Sequence, residues 1–76
     1  MMQKQQALAI LSHNMKHIRE QYAFSKRDMA RLLGIGIGSL NKLEKGELPP
    51  RLGVEILFNI QHYFGISPQI LLTEQL

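Results

Sequence analysis

No cysteine occurs among the 76 residues, so neither a disulfide nor a thiolate metal site can staple this fold. No apolar run approaches the roughly 20 residues that a membrane-spanning helix needs. The opening stretch, MMQKQQALAILSHN, turns polar too soon for a secretory signal, and a cytoplasmic protein with no membrane partner is the default expectation. Strand-like alternation is scarce too. Its nearest instance is GIGIG, Gly34 to Gly38, where glycine at every second position makes a poor strand. Internal repeats and low-complexity tracts are absent. Stability must come from packing near the lower size limit for a single apolar core, with association as a further source.

What is present suits a small globular domain. Apolar residues make up 45% of the chain, enough for a core. Net charge is +3, and its placement says more than its sum. Between Lys16 and Arg51 stand eight basic and four acidic residues, a local +4, which leaves −1 for the remainder. Positive charge gathered in one stretch suits a polyanionic partner.

Spacing predicts five helices and no sheet. Leu8, Leu11, Met15, Ile18 and Tyr22 recur at intervals of three and four, one face of an amphipathic helix. Residues 1–10 extend that first helix. Ser25 with Asp28 three residues later resembles a capping box, and it opens a short helix to about Leu33 that buries Met29, Ala30 and Leu33. Gly34 stands where a left-handed residue would end it. A third helix starts near Gly36 to Gly38 and runs to Lys45, with Leu40 and Leu43 inward, and Gly46 closes it. Pro49 and Pro50 forbid regular helix and mark a loop. Gly53 to Phe64 reads as a fourth helix with Val54, Leu57, Ile60 and Phe64 on one face. Ser67 and Pro68 then carry the cap and first-turn chemistry of a fifth, through Leu72. Met15 and Met29 read as core filler.

The second and third helices, joined by a tight glycine turn, form a helix-turn-helix frame. Ala30 is small where two steeply crossing backbones come close, Gly34 turns the chain, and Leu40 plugs the later helix into the core. With Ile18-Arg19-Glu20, Phe24-Ser25, Met29-Ala30, Leu33-Gly34, Leu40, Leu43-Glu44-Lys45-Gly46 and Phe64-Gly65-Ile66-Ser67, the stretch from about Leu11 to Leu72 resembles the lambda-repressor-like, Cro/repressor-type (XRE) family of bacterial and phage DNA-binding domains. The resemblance implies an all-α, compact five-helix bundle, and the length of the chain makes residues 1–76 one domain. The resemblance also implies a third helix that enters the major groove, and a dimer on a pseudo-palindromic operator. In that family the arginine at the Arg19 position pairs with the glutamate at the Glu44 position, so an Arg19–Glu44 ion pair is expected.

The same resemblance places the double-stranded DNA contacts. Lys26 and Arg27 open the second helix, where a cation and free amides can share a phosphate. Ile37 and Gly38 stand at the family's base-reading positions, with Ser39, Asn41 and Lys42 beside and beyond them, then Lys45 and, in the loop, Arg51. Isoleucine offers a methyl surface toward thymine and glycine offers no side chain. Lys42 can donate to guanine, and Asn41 can reach an adenine edge. Direct readout should be modest, leaning on phosphates and DNA shape.

Other chemistries fit poorly. A dinucleotide loop needs a strand before its glycines and a βαβ unit around them, and neither is here. His13 and His17 stand four apart as in H-E-x-x-H, but Asn14 takes the place of the catalytic glutamate and both histidines point away from the apolar face. His62 is isolated. No Ser/His/Asp set or carboxylate pair stands out, so a non-enzyme without metal, cofactor or small-molecule substrate is expected. Surplus apolar residues in the last two helices and at the end of the chain, Ile56, Tyr63, Leu71, Leu72 and Leu76, suggest a homodimer that sets two reading helices about 34 Å apart. The alternative is a protein-interaction module on the same scaffold, antitoxin-like or repressor-sequestering, with a protein partner in place of DNA.

Overall fold

Helix α1, Lys4–Gln21, carries Leu11, Met15 and Ile18 on one ridge, and all three are buried. They belong to a computed structural model that describes residues 4–50 and 52–76. The ridge stops before Tyr22, which lies past the last helical residue and is 52% exposed. The cause is Ala23, whose φ of 57° is left-handed. Its N–H donates to the Glu20 carbonyl at 3.1 Å and the Phe24 N–H to the Arg19 carbonyl at 2.9 Å, the bond pair that closes a helix. Glycine usually takes this position, because a Cβ there costs about 1 kcal/mol.

Helix α2 spans Lys26–Leu33, and Ser25 caps it by accepting the Asp28 N–H at 3.0 Å. Gly34, at φ 76°, ends it. The N–H groups of Gly34 and Ile35 return to the Arg31 and Ala30 carbonyls at 3.1 and 3.0 Å. Two residues later α3, Ile37–Glu44, begins from an extended Gly36 with no side-chain cap. Gly46 closes α3 as Gly34 closes α2, with bonds to Leu43 and Lys42. After the proline loop come α4, Glu55–Phe64, and α5, Pro68–Thr73, the latter capped by Ser67.

The order is α1 to α5 with no strand among the described residues. Helix α1 lies against α3 and α5, α2 against α3 and α4, and α4 against α5. One core cluster draws on all five: Leu11, Met15 and Ile18; Met29, Ala30 and Leu33; Leu40 and Leu43; Ile56 and Ile60; and Leu71. Burying each large aliphatic side chain contributes about 1.5–3 kcal/mol, so residues from every helix hold the turn of the motif in place.

Two expectations need correction. The inward face of α4 is Ile56 and Ile60 with Leu57 and Phe64 half-buried, whereas Val54 is 63% exposed. The helix starts at Glu55 and not at Gly53, so Val54 precedes the first inward turn. It follows that Ile56 and Leu71 are core residues of the protomer and are unavailable to a partner. Tyr63 and Leu76 remain exposed, and Leu72 is half-buried.

A polar residue also sits inside. Asn14 is fully buried on α1 and clamps the end of the chain. Its amide nitrogen donates to the carbonyls of Leu71 at 2.8 Å and Glu74 at 2.7 Å, and its oxygen accepts the Leu76 N–H at 2.8 Å. Both amide atoms are thereby partnered, as a buried polar group requires.

Candidate nucleic-acid interface

With about 100° between successive residues of a helix, Ile37, Gly38, Asn41, Lys42 and Lys45 share one outward arc of α3. Leu40 and Leu43 occupy the inward side and are fully buried. Ile37 is 45% exposed; Gly38, Lys42 and Lys45 are exposed and Asn41 is half-buried. Ser39 is half-buried at the margin of the arc. Lys26 and Arg27 are exposed at the start of α2. Arg51 lies outside the described residues.

The one acidic residue of α3, Glu44, is turned inward. Arg19 Nε donates to its Oε2 at 2.7 Å and Arg19 Nη2 to its Oε1 at 3.0 Å, a two-pronged fork across 25 residues of sequence. The side chains are 15% and 6% exposed. The Glu44 hydrogen bond holds the Arg19 guanidinium above its ordinary pKa, and burial opposes this. A raised pKa on a cation means that, on the alkaline side, its contribution is lost only in strong alkali. The fork both ties α1 to the end of α3 and removes a negative charge from the outer arc.

The front of α3 is unlike its end. Gly36 and Gly38 have no positive φ, and a Cβ built on either meets nothing within 4 Å. Neither the turn nor the packing of this chain asks for glycine there. The outer surface at this point is therefore bare backbone, which a large partner can approach closely.

One contact joins the two motif helices on this surface. The Lys26 ammonium donates to the Asn41 side-chain oxygen at 2.9 Å. Residues 15 apart meet because the turn at Gly34 brings the start of α2 beside the middle of α3. No local pattern signals that pairing; it follows from the crossing of the helices alone.

The remaining polar clusters are less suited to a ligand. His13 and His17 stack with centroids 6.1 Å apart, and His13 Nε2 donates to the Leu76 backbone oxygen at 3.2 Å. No group of three or more potential metal ligands stands together among the described residues. No helix among them is long and apolar enough to cross a membrane.

A family model for a helix-turn-helix domain matches residues 13–75, which is most of the chain. No curated protein and no solved structure matches it.

Proposed function

The chain belongs to this helix-turn-helix family, and from that premise we propose that it is a small transcription regulator of prokaryotic or phage type that binds double-stranded DNA in a sequence-directed way. The observation that carries the reading is the outer arc of α3. It holds two exposed lysines and no carboxylate, because Glu44 is folded inward onto Arg19. Lys26 and Arg27 extend the positive surface onto α2. An α-helix of this kind fits the major groove, with the cations on backbone phosphates and the exposed methyls of Ile37 toward a thymine. No catalytic step belongs to this function.

A homodimer on a pseudo-palindromic site completes the proposal. Its support is the set of large apolar side chains left exposed late in the chain: Phe58 and Tyr63 on α4, Ile70 on α5, and Leu76. Two chains per duplex in sedimentation would bear this out; one chain per duplex would remove the dimer and keep the DNA reading.

The test of function is retention on a random duplex pool at two salt concentrations. If Lys26, Arg27, Lys42 and Lys45 each neutralise one phosphate, the slope of log affinity against log salt is about −3.5 per chain. Lys42→Glu and Lys26→Glu each reverse a charge on the surface and should abolish retention. Unchanged retention by both variants would overturn the proposal and favour a protein partner.

A further inference from the structure

We infer that Lys26 sets the base preference of Asn41, so that this position of α3 selects guanine and disfavours adenine. The inference rests on the DNA-binding reading above and concerns the same surface. Lysine has three donors and no acceptor, so whichever amide atom of Asn41 faces the ammonium must be the oxygen. The 2.9 Å bond from Lys26 Nζ to Asn41 Oδ1 therefore fixes which way the amide points. Its nitrogen has no hydrogen bond within the described residues, and Asn41 lies on the outward arc between Ile37 and Lys45.

An asparagine reads adenine with both amide atoms, donating to N7 while accepting from the exocyclic N6 amine. Here one lone pair of the Asn41 oxygen already accepts from a cation, so an N6 amine would have to share the oxygen with the Lys26 ammonium, whereas the amide nitrogen is unshared. The unshared atom is a donor, and the purine edge in the major groove that offers only acceptors is guanine, with N7 and O6. The neighbours reinforce this sign. Lys42, Lys45 and the two unused donors of Lys26 also only donate, Ile37 and Gly38 present no polar side-chain atom, and Glu44 is held inward by Arg19. The only side-chain acceptors the arc offers to the N6 amine of adenine or the N4 amine of cytosine are the shared Asn41 oxygen and, at its half-buried margin, the Ser39 hydroxyl. Lys26 acts here as a positioning residue, through the amide it orients.

The readout is base preference, which loss of a phosphate contact does not move. Full-length wild type, Lys26→Met and Asn41→Ala are each incubated with a random duplex pool, and the retained fraction is sequenced. Lys26 is exposed and Asn41 half-buried, and unchanged thermal unfolding checks that the variants fold. Wild type should show guanine over adenine at one position of each half-site by about five- to tenfold. Asn41→Ala should lose that preference at that position alone. Lys26→Met frees the oxygen and should admit adenine there to within about twofold of guanine. A Lys26→Met profile identical to wild type, or an Asn41→Ala profile that keeps the guanine, overturns the inference while leaving DNA binding intact. If wild type retains no duplex, the functional reading itself falls, and this inference falls with it.

Discussion

Two asparagines separate the inside of this molecule from its working surface. Asn14 is fully buried at the seam of α1 and α5, where it makes three hydrogen bonds to backbone 57 to 62 residues away. Asn41 is half-buried on α3 and makes one, to an exposed lysine. The same side chain is fully committed in one place and half committed in the other. Arg19 and Glu44 belong with Asn14: their fork is largely buried and spans two helices. The difference shows where polar groups serve the fold, with every buried side-chain nitrogen and oxygen partnered among the described residues, and where spare capacity is left for something outside. Gly36 and Gly38 tell the same story from the backbone, since nothing in the chain packs over them.

Changes on the two sides should therefore differ in size and in sign. The largest loss belongs to the fork. Arg19→Ala leaves Glu44 nearly enclosed without its partner and should cost about 3 kcal/mol, a fall in midpoint of about 15 °C for a domain of this size. A double-mutant cycle with Glu44→Ala should return most of that as coupling. Thermal unfolding that shows no coupling would place the pair with ordinary surface charges.

Next comes the clamp. Asn14→Leu keeps the volume but strips partners from the Leu71 and Glu74 carbonyls and from the Leu76 N–H. The expected loss is about 2 kcal/mol in urea unfolding. A variant within error of wild type would mean that water replaces the amide, and the contrast with Asn41 would lose its basis.

The smallest effect should have the opposite sign. Gly38→Ala fills open space in a helix whose backbone an alanine tolerates. It should stabilise by about 0.5 kcal/mol, or 2–4 °C, while weakening duplex retention because the backbone can no longer come as close. Retention that rises with stability would show that the bare front of α3 is not a contact surface.

Much of this could be read along the chain, for a local reason. Ser25 and Ser67 as caps, and Gly34, Gly46 and Gly65 as left-handed stops, act on neighbours within five residues, so the sequence around them carries the whole cause. The inward Leu40 and Leu43 follow from periodicity. The Arg19–Glu44 fork needed the family resemblance, because no spacing rule links residues 25 apart. Alanine gives no hint of a left-handed backbone, so the stop at Ala23 is not legible, and the periodicity that includes Tyr22 outruns the ridge that ends before it. Asn14 did leave a trace: it stands three after Leu11 and four before Ile18, an uncharged polar residue on an apolar ridge, which demands a buried partner.

Five helices, their glycine stops and the basic stretch around the glycine turn were determined by the sequence alone, because caps, turns and periodicity are short-range physics. Which side of α4 faces in, which asparagine is sealed, and which lysine holds the other's oxygen were decided only once the helices crossed. Those choices depend on atoms that are distant along the chain and adjacent in space, and on which polar groups the packing leaves in reach of water.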